Sequence, residues 1–77
     1  MLTVNLSGRM HFEHVAVGDI LWKFFDGEQE PTLIGTVIER TTNGKGKPVI
    51  ALDRQSTLGS DRLTRTAFQR LTIRKQI

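Results

Sequence analysis

Arg54, Arg62, Arg65, Arg70, Arg74 and Lys75 crowd the last third of this 77-residue chain. Cations at this density suit a polyanion, because each can neutralise one phosphate without reading any base. Arginine adds geometry: its planar fork meets two phosphate or carboxylate oxygens at once, which an ammonium does not. Lys45 and Lys47 lie upstream in Thr42-Asn43-Gly44-Lys45-Gly46-Lys47, a segment that invites comparison with a nucleotide-binding loop. The spacing fails. Such a loop needs a glycine five residues before its Gly-Lys and a hydroxyl after it. Glu39 and Thr41 occupy the two glycine positions, and Pro48 stands where Ser or Thr is wanted. The two lysines therefore read as a hairpin tip, still able to touch a phosphate.

The remaining chemistry thins out quickly. His11 and His14 are the only histidines, and on a strand positions three apart face opposite sides. With no cysteine, a structural zinc would need Glu13 or Asp19 as further ligands. No metal and no other cofactor is expected. Hydroxyl and imidazole groups are present, but no spacing marks a nucleophile with its base and orienting group. Asp26, Glu28 and Glu30 fall in a loop and read as solvated charge. The chain is not expected to be an enzyme.

The whole-chain charge has a direction. Formal net charge is +3, yet Arg9 and Lys23 face Glu13, Asp19, Asp26, Glu28, Glu30 and Glu39 in residues 1–39, a net of −4. Residues 40–77 carry six arginines and three lysines against Asp53 and Asp61, a net of +7. This asymmetry points to a polyanionic partner for the second half. The competing reading is mutual neutralisation across a small fold, through exposed pairs of little individual worth.

The elements that must position these cations are short strands. Leu2, Val4 and Leu6 alternate with polar residues, and Met10 and Phe12 alternate again after Ser7-Gly8, which predicts an N-terminal hairpin. Ile20, Trp22 and Phe24 face one way from the richest apolar run, and Leu21, Lys23 and Phe25 the other. Apolar residues on both faces predict a central or strongly bent strand. Asp26 to Pro31 is an acidic loop. Leu33 to Thr41 reads as a strand with a bend or bulge at Gly35, Asn43-Gly44 as a hairpin turn, and Pro48 to Leu52 as the return strand. The last third has two readings. Ser60 caps a helix through Leu63, Ala67 and Leu71, or a strand at Arg62–Thr64 leads through a 3₁₀ turn at Arg65–Phe68 to a final strand from Leu71 to Lys75. The second fits the β-rich remainder. Trp22 reads as core, and Phe68 as a plug at the barrel bottom rather than a stacking platform.

Composition agrees with one small domain over residues 1–77. Hydrophobic residues make up 38% and charged residues 25%, a globular balance. A chain of this length buries only about 60% of its unfolded surface, so the core is thin. No apolar stretch approaches a membrane span and no secretory leader opens the chain. These features predict a complete cytoplasmic protein starting at Met1, all-β, built as a small barrel of five to six antiparallel strands.

Val17-Gly18-Asp19-Ile20-Leu21, then Gly27, then Ile34-Gly35-Thr36-Val37-Ile38 resemble the opening of SH3-like small barrels, including KOW-type modules. Arg65-Thr66-Ala67-Phe68-Gln69-Arg70-Leu71 is similar to the one-turn 3₁₀ link before their last strand. The resemblance covers residues 15–76 at the level of pattern, and the acidic, proline-containing loop at 26–31 departs from the basic loop of nucleic-acid-binding KOW modules. It implies a binding module rather than a catalyst. Two functions follow. In the first, the barrel binds DNA or RNA through Arg54, Arg62, Arg65, Arg70, Arg74, Lys75, Lys45 and Lys47. In the second, it is a protein-interaction module that modulates a larger enzyme or complex through Leu21, Phe25 and the acidic loop. A second copy of the chain, paired through edge strands, is a further partner reading.

Overall fold

The β-branched run Thr32–Thr42 builds the longest strand, β3, and the rest of the fold is organised around it. In the computed structural model, which describes residues 4–56 and 59–77, the other strands are β1 (Leu6–Arg9), β2 (Ile20–Lys23), β4 (Pro48–Leu52), β5 (Arg62–Thr64) and β6 (Arg74–Gln76). All pair antiparallel in the order β1-β6-β2-β3-β4-β5. The first part of β3 pairs with β2, and its second part pairs with β4. This is a mostly β fold compatible with a small barrel, with one 3₁₀ turn at Phe12–His14 and one short helix, α1 (Arg65–Arg70). No helix among the described residues is long and apolar enough to cross a membrane.

Gly35 lets β3 change partners. Its φ of 147° suits glycine, and the β2–β3 register slips between Leu21 and Trp22, opposite it. Two consecutive residues of β2 are out of solvent because both faces of the strand are covered here. Leu21 enters the core, while Trp22, on the other face, is covered and donates its indole N–H to Gln76 Oε1 at 3.0 Å. Of the two expectations for this run, the central strand is the one found: β2 lies between β6 and β3.

At the far end of β3, Asn43 makes the hairpin its sequence predicts. Its carboxamide oxygen accepts from Lys45 N at 2.8 Å and Lys47 N at 3.1 Å, and Gly46 takes the left-handed conformation. Pro48 then opens β4, where its missing N–H costs least.

The predicted N-terminal hairpin does not form. β1 continues through Ser7-Gly8, with a shift of register between Leu6 and Arg9, and its partner is β6, with Leu6 opposite Gln76 and Arg9 opposite Arg74. Ser7 serves this distant pairing, its hydroxyl accepting from Lys75 N at 3.0 Å. Phe12 leaves the strand path because its ring is needed inside. It heads the 3₁₀ turn, is fully buried, and meets Phe68 of α1 edge-to-face at 5.8 Å between centroids. The expected strand residues Leu2 and Thr3 lie outside the described residues.

In the last third, the strand at Arg62–Thr64 stands as in the second reading. The expected 3₁₀ turn is instead the longer α1, and the final strand starts later, at Arg74. Thr64, not Ser60, caps the helix, its hydroxyl accepting from Ala67 N at 3.2 Å. A helix of six residues has little stability alone, so α1 depends on Phe68 docking into the core. Its C-terminal carbonyls are satisfied by two cations from the acidic half: Lys23 Nζ donates to Leu71 O at 2.7 Å, and Arg9 to Gln69 O at 2.5 Å. Phe12, Val15, Leu21, Ile34, Val37, Ile50, Leu52, Leu63, Phe68 and Ile73 together form the core.

Candidate nucleic-acid interface

The eight expected phosphate-binding cations separate into groups. Arg54 follows β4 and is held by its neighbour: Nε and Nη2 donate to the two oxygens of Asp53, each at 3.1 Å. Asp53 Oδ1 also accepts from Thr36 N at 3.0 Å. The Arg54 hydrogen bonds, then the Thr36 amide, hold the Asp53 carboxyl below its ordinary range, and Asp53 in turn raises the Arg54 guanidinium. Arg65 pairs with Glu13, and Lys75 approaches Asp19 Oδ1 at 4.0 Å. Arg74 lies over the ring of Phe24 at 5.7 Å. Neutralisation by the acidic half therefore claims Arg65 and Lys75, as the competing reading of the charge layout expected, but it does not claim the rest.

Lys45, Lys47, Arg62 and Arg70 make no ion pair among the described residues. Three of them border the segment formed by β5 and α1. On one side of it Gly46, Lys47, Pro48, Thr64, Arg65 and Thr66 enclose a cleft of cations and hydroxyls. On the other, Ser60, Arg62, Leu63, Ala67, Arg70 and Leu71 enclose a second cleft. The local folding explains the gathering. The β3–β4 hairpin carries Lys47 to the start of α1, while α1 turns back along β5 and places Arg70 in the same cleft as Arg62. Arg74 and Lys75 sit apart, on β6 across the sheet.

Leu21 and Phe25 do not form the exposed apolar face expected of them, while the acidic loop at 26–30 is exposed. Leu21 has 0% exposure and is a core residue, on the face of β2 that packs inward. Phe25 is half-buried against that core, with Lys23 Nζ 5.3 Å from its ring centre. The exposed aromatic is Phe24, at 39%, on the same face of the run as the covered Trp22. Phe68 is fully buried, as expected of a plug.

Arg40, in β3, carries a role that the sequence did not disclose. Its guanidinium donates to Phe12 O at 2.9 Å and to Val15 O, and lies 5.0 Å from the Phe12 ring centre. It is a strut beneath the 3₁₀ turn rather than a free cation. The histidines also differ from expectation. His11 caps the 3₁₀ turn and His14 ends it, a geometry in which residues three apart eclipse, and their rings meet edge-to-face at 5.9 Å. No cluster of three or more metal-ligating side chains forms among the described residues.

No family model matches the chain, and neither the curated proteins nor the solved structures contain a match to it. The site's own geometry carries the functional argument.

Proposed function

We propose that this protein is a non-enzymatic small barrel of the SH3-like kind that binds nucleic acid through the surface around β5 and α1. Lys45, Lys47, Arg62 and Arg70 supply its phosphate contacts, with Arg65 available once Glu13 releases it. The observation that carries the reading is the gathering of Lys47, Arg62 and Arg70 on the two sides of one segment with no carboxylate partner among the described residues. Cations left unpaired in a chain with eight acids are available to an external anion at no cost in broken ion pairs. The short helix leading to a last strand that returns beside β2 supports the SH3-like reading.

Fluorescence anisotropy with labelled DNA and RNA oligonucleotides tests this. Binding is expected in the micromolar range at low salt. It should weaken with a log–log salt slope of about −2 to −4, the value for roughly three or four neutralised phosphates. Absence of binding to either nucleic acid at tens of micromolar protein overturns the reading.

A further inference from the structure

We propose that the cleft between β5 and α1 is a nucleotide-sized subsite that makes the protein prefer single-stranded over duplex nucleic acid. This rests on the nucleic-acid reading and narrows it to one class of strand. The cleft encloses about 340 Å³, within the size range of small-molecule sites. Leu63, nearly fully buried, forms its floor, and half-buried Ala67 and Leu71 form its apolar side. Arg62 and Arg70 are exposed at its margins. β5 is an outer strand of the sheet, so no further strand among the described residues covers it on that side.

Each part has a counterpart on a nucleotide. The flat, weakly solvated face of a base fits against Ala67 and Leu71. The attached phosphate lies within the domain of two guanidinium groups, which take oxygens in pairs and also stack on base planes. The other clefts lack this combination. The one beside Lys47 is smaller, at about 260 Å³, and has threonines where the β5–α1 cleft has leucines, and the one between Leu52 and Asp61 presents Asp53 and Asp61 to any incoming phosphate.

Single-strand preference follows from access. In a duplex the base faces are stacked inside and cannot reach an apolar floor, whereas an unpaired base turns outward freely. Charge alone predicts the opposite order, because duplex DNA carries the denser phosphate array and releases more counterions. The two mechanisms therefore differ in sign.

The test is an anisotropy titration of the full chain with a labelled 12-nucleotide single strand and with its duplex, at one salt concentration, alongside methyl NMR spectra. The single strand is expected to bind at least about fivefold more tightly, as one or two base contacts would give. The methyl signals of Leu63, Ala67 and Leu71 should shift with the single strand and stay in place with the duplex. Ala67→Glu, which sets a carboxylate between the two arginines, should remove the preference while leaving the thermal melt cooperative. Should that variant fail to fold, the methyl shifts of the wild-type protein decide alone. Duplex binding as tight as or tighter than single-strand binding overturns the subsite while leaving nucleic-acid binding standing. Failure of both to bind overturns the parent reading as well.

Discussion

Arg65 at the start of α1 pairs with Glu13 of the 3₁₀ turn, with its guanidinium 5.9 Å from the centre of the Phe12 ring. The pair joins the basic end of the chain to its acidic beginning, beside the cleft that contains Lys47. Both side chains are about half exposed, so the pair contributes little to stability, on the order of 0–1 kcal/mol. Its larger effect is on charge: Glu13 removes one cation from the surface that would meet phosphate.

Glu13→Gln should therefore improve nucleic-acid binding while leaving the fold intact. The expected gain is about two- to fivefold at low salt, with a salt slope steeper by up to about one. Anisotropy titrations across a salt series measure both, and a thermal melt within a few degrees of wild type completes the comparison. Weaker binding by the variant would show that Arg65 needs Glu13 for its position.

How much of this was legible in the sequence depends on distance along the chain. Asn43 folds its own neighbours, so the hairpin and the start of β4 at Pro48 could be read locally. Ser7-Gly8 carried the same type of signal, yet its segment pairs with β6 at the other end of the chain, and no local rule contains that partner. Alternation puts Leu21 and Phe24 on opposite faces of β2, but it does not say which face meets the core, and that core is supplied by residues far along the chain, Phe12 and Phe68 among them. The cationic site was legible as a list of residues but not as a surface. Pairing of Arg54 with Asp53 and of Arg65 with Glu13 is a property of the folded chain.

Arg54 and Arg70 should separate cleanly as binding residues. Arg54 is engaged by Asp53 through two hydrogen bonds, whereas Arg70 makes no ion pair among the described residues. Arg70→Gln is expected to weaken nucleic-acid binding about three- to tenfold and to lower the salt slope by about one. Arg54→Gln should change affinity less than twofold. Equal losses in the two variants would mean that the Asp53 pair opens on binding.

Gly35→Ala should destabilise the protein by about 1–3 kcal/mol. The backbone there is in a region that L-residues rarely adopt, and an added Cβ would lie 3.1 Å from Asp53 Oδ1 and 3.4 Å from Leu52 Cβ. The contact with Asp53 also disturbs the carboxylate that receives the Thr36 amide. Urea unfolding curves measure the loss, and a midpoint equal to wild type would show that β3 relaxes without strain.

Thr72 also has positive φ, at 50°, immediately after the C-cap residue Leu71 of α1. This is the position where helices most often place glycine, because a β-branched side chain is costly in the left-handed region. Thr72→Gly should stabilise the fold by about 0.5–1 kcal/mol, or a rise of several degrees in Tm for a chain of this size. A lower Tm would mean that the side chain makes a compensating contact.

Asp53 should impose an acid limit on stability that Asp53→Asn lacks. Its carboxyl is held below the ordinary value of 3.8, first by the hydrogen bonds from Arg54 and then by the Thr36 amide. The folded state thus binds its proton less readily than the unfolded state does. The stabilisation is fully present above the unfolded value and is lost as pH falls through the folded one. Urea midpoints measured from about pH 5.5 down to about pH 2.5 should fall for both proteins, since other carboxylates also titrate. The wild type should fall further, so the gap between the two narrows on acidification. Parallel curves over that range would show that the pairing of Asp53 with Arg54 and Thr36 contributes nothing to folding in solution.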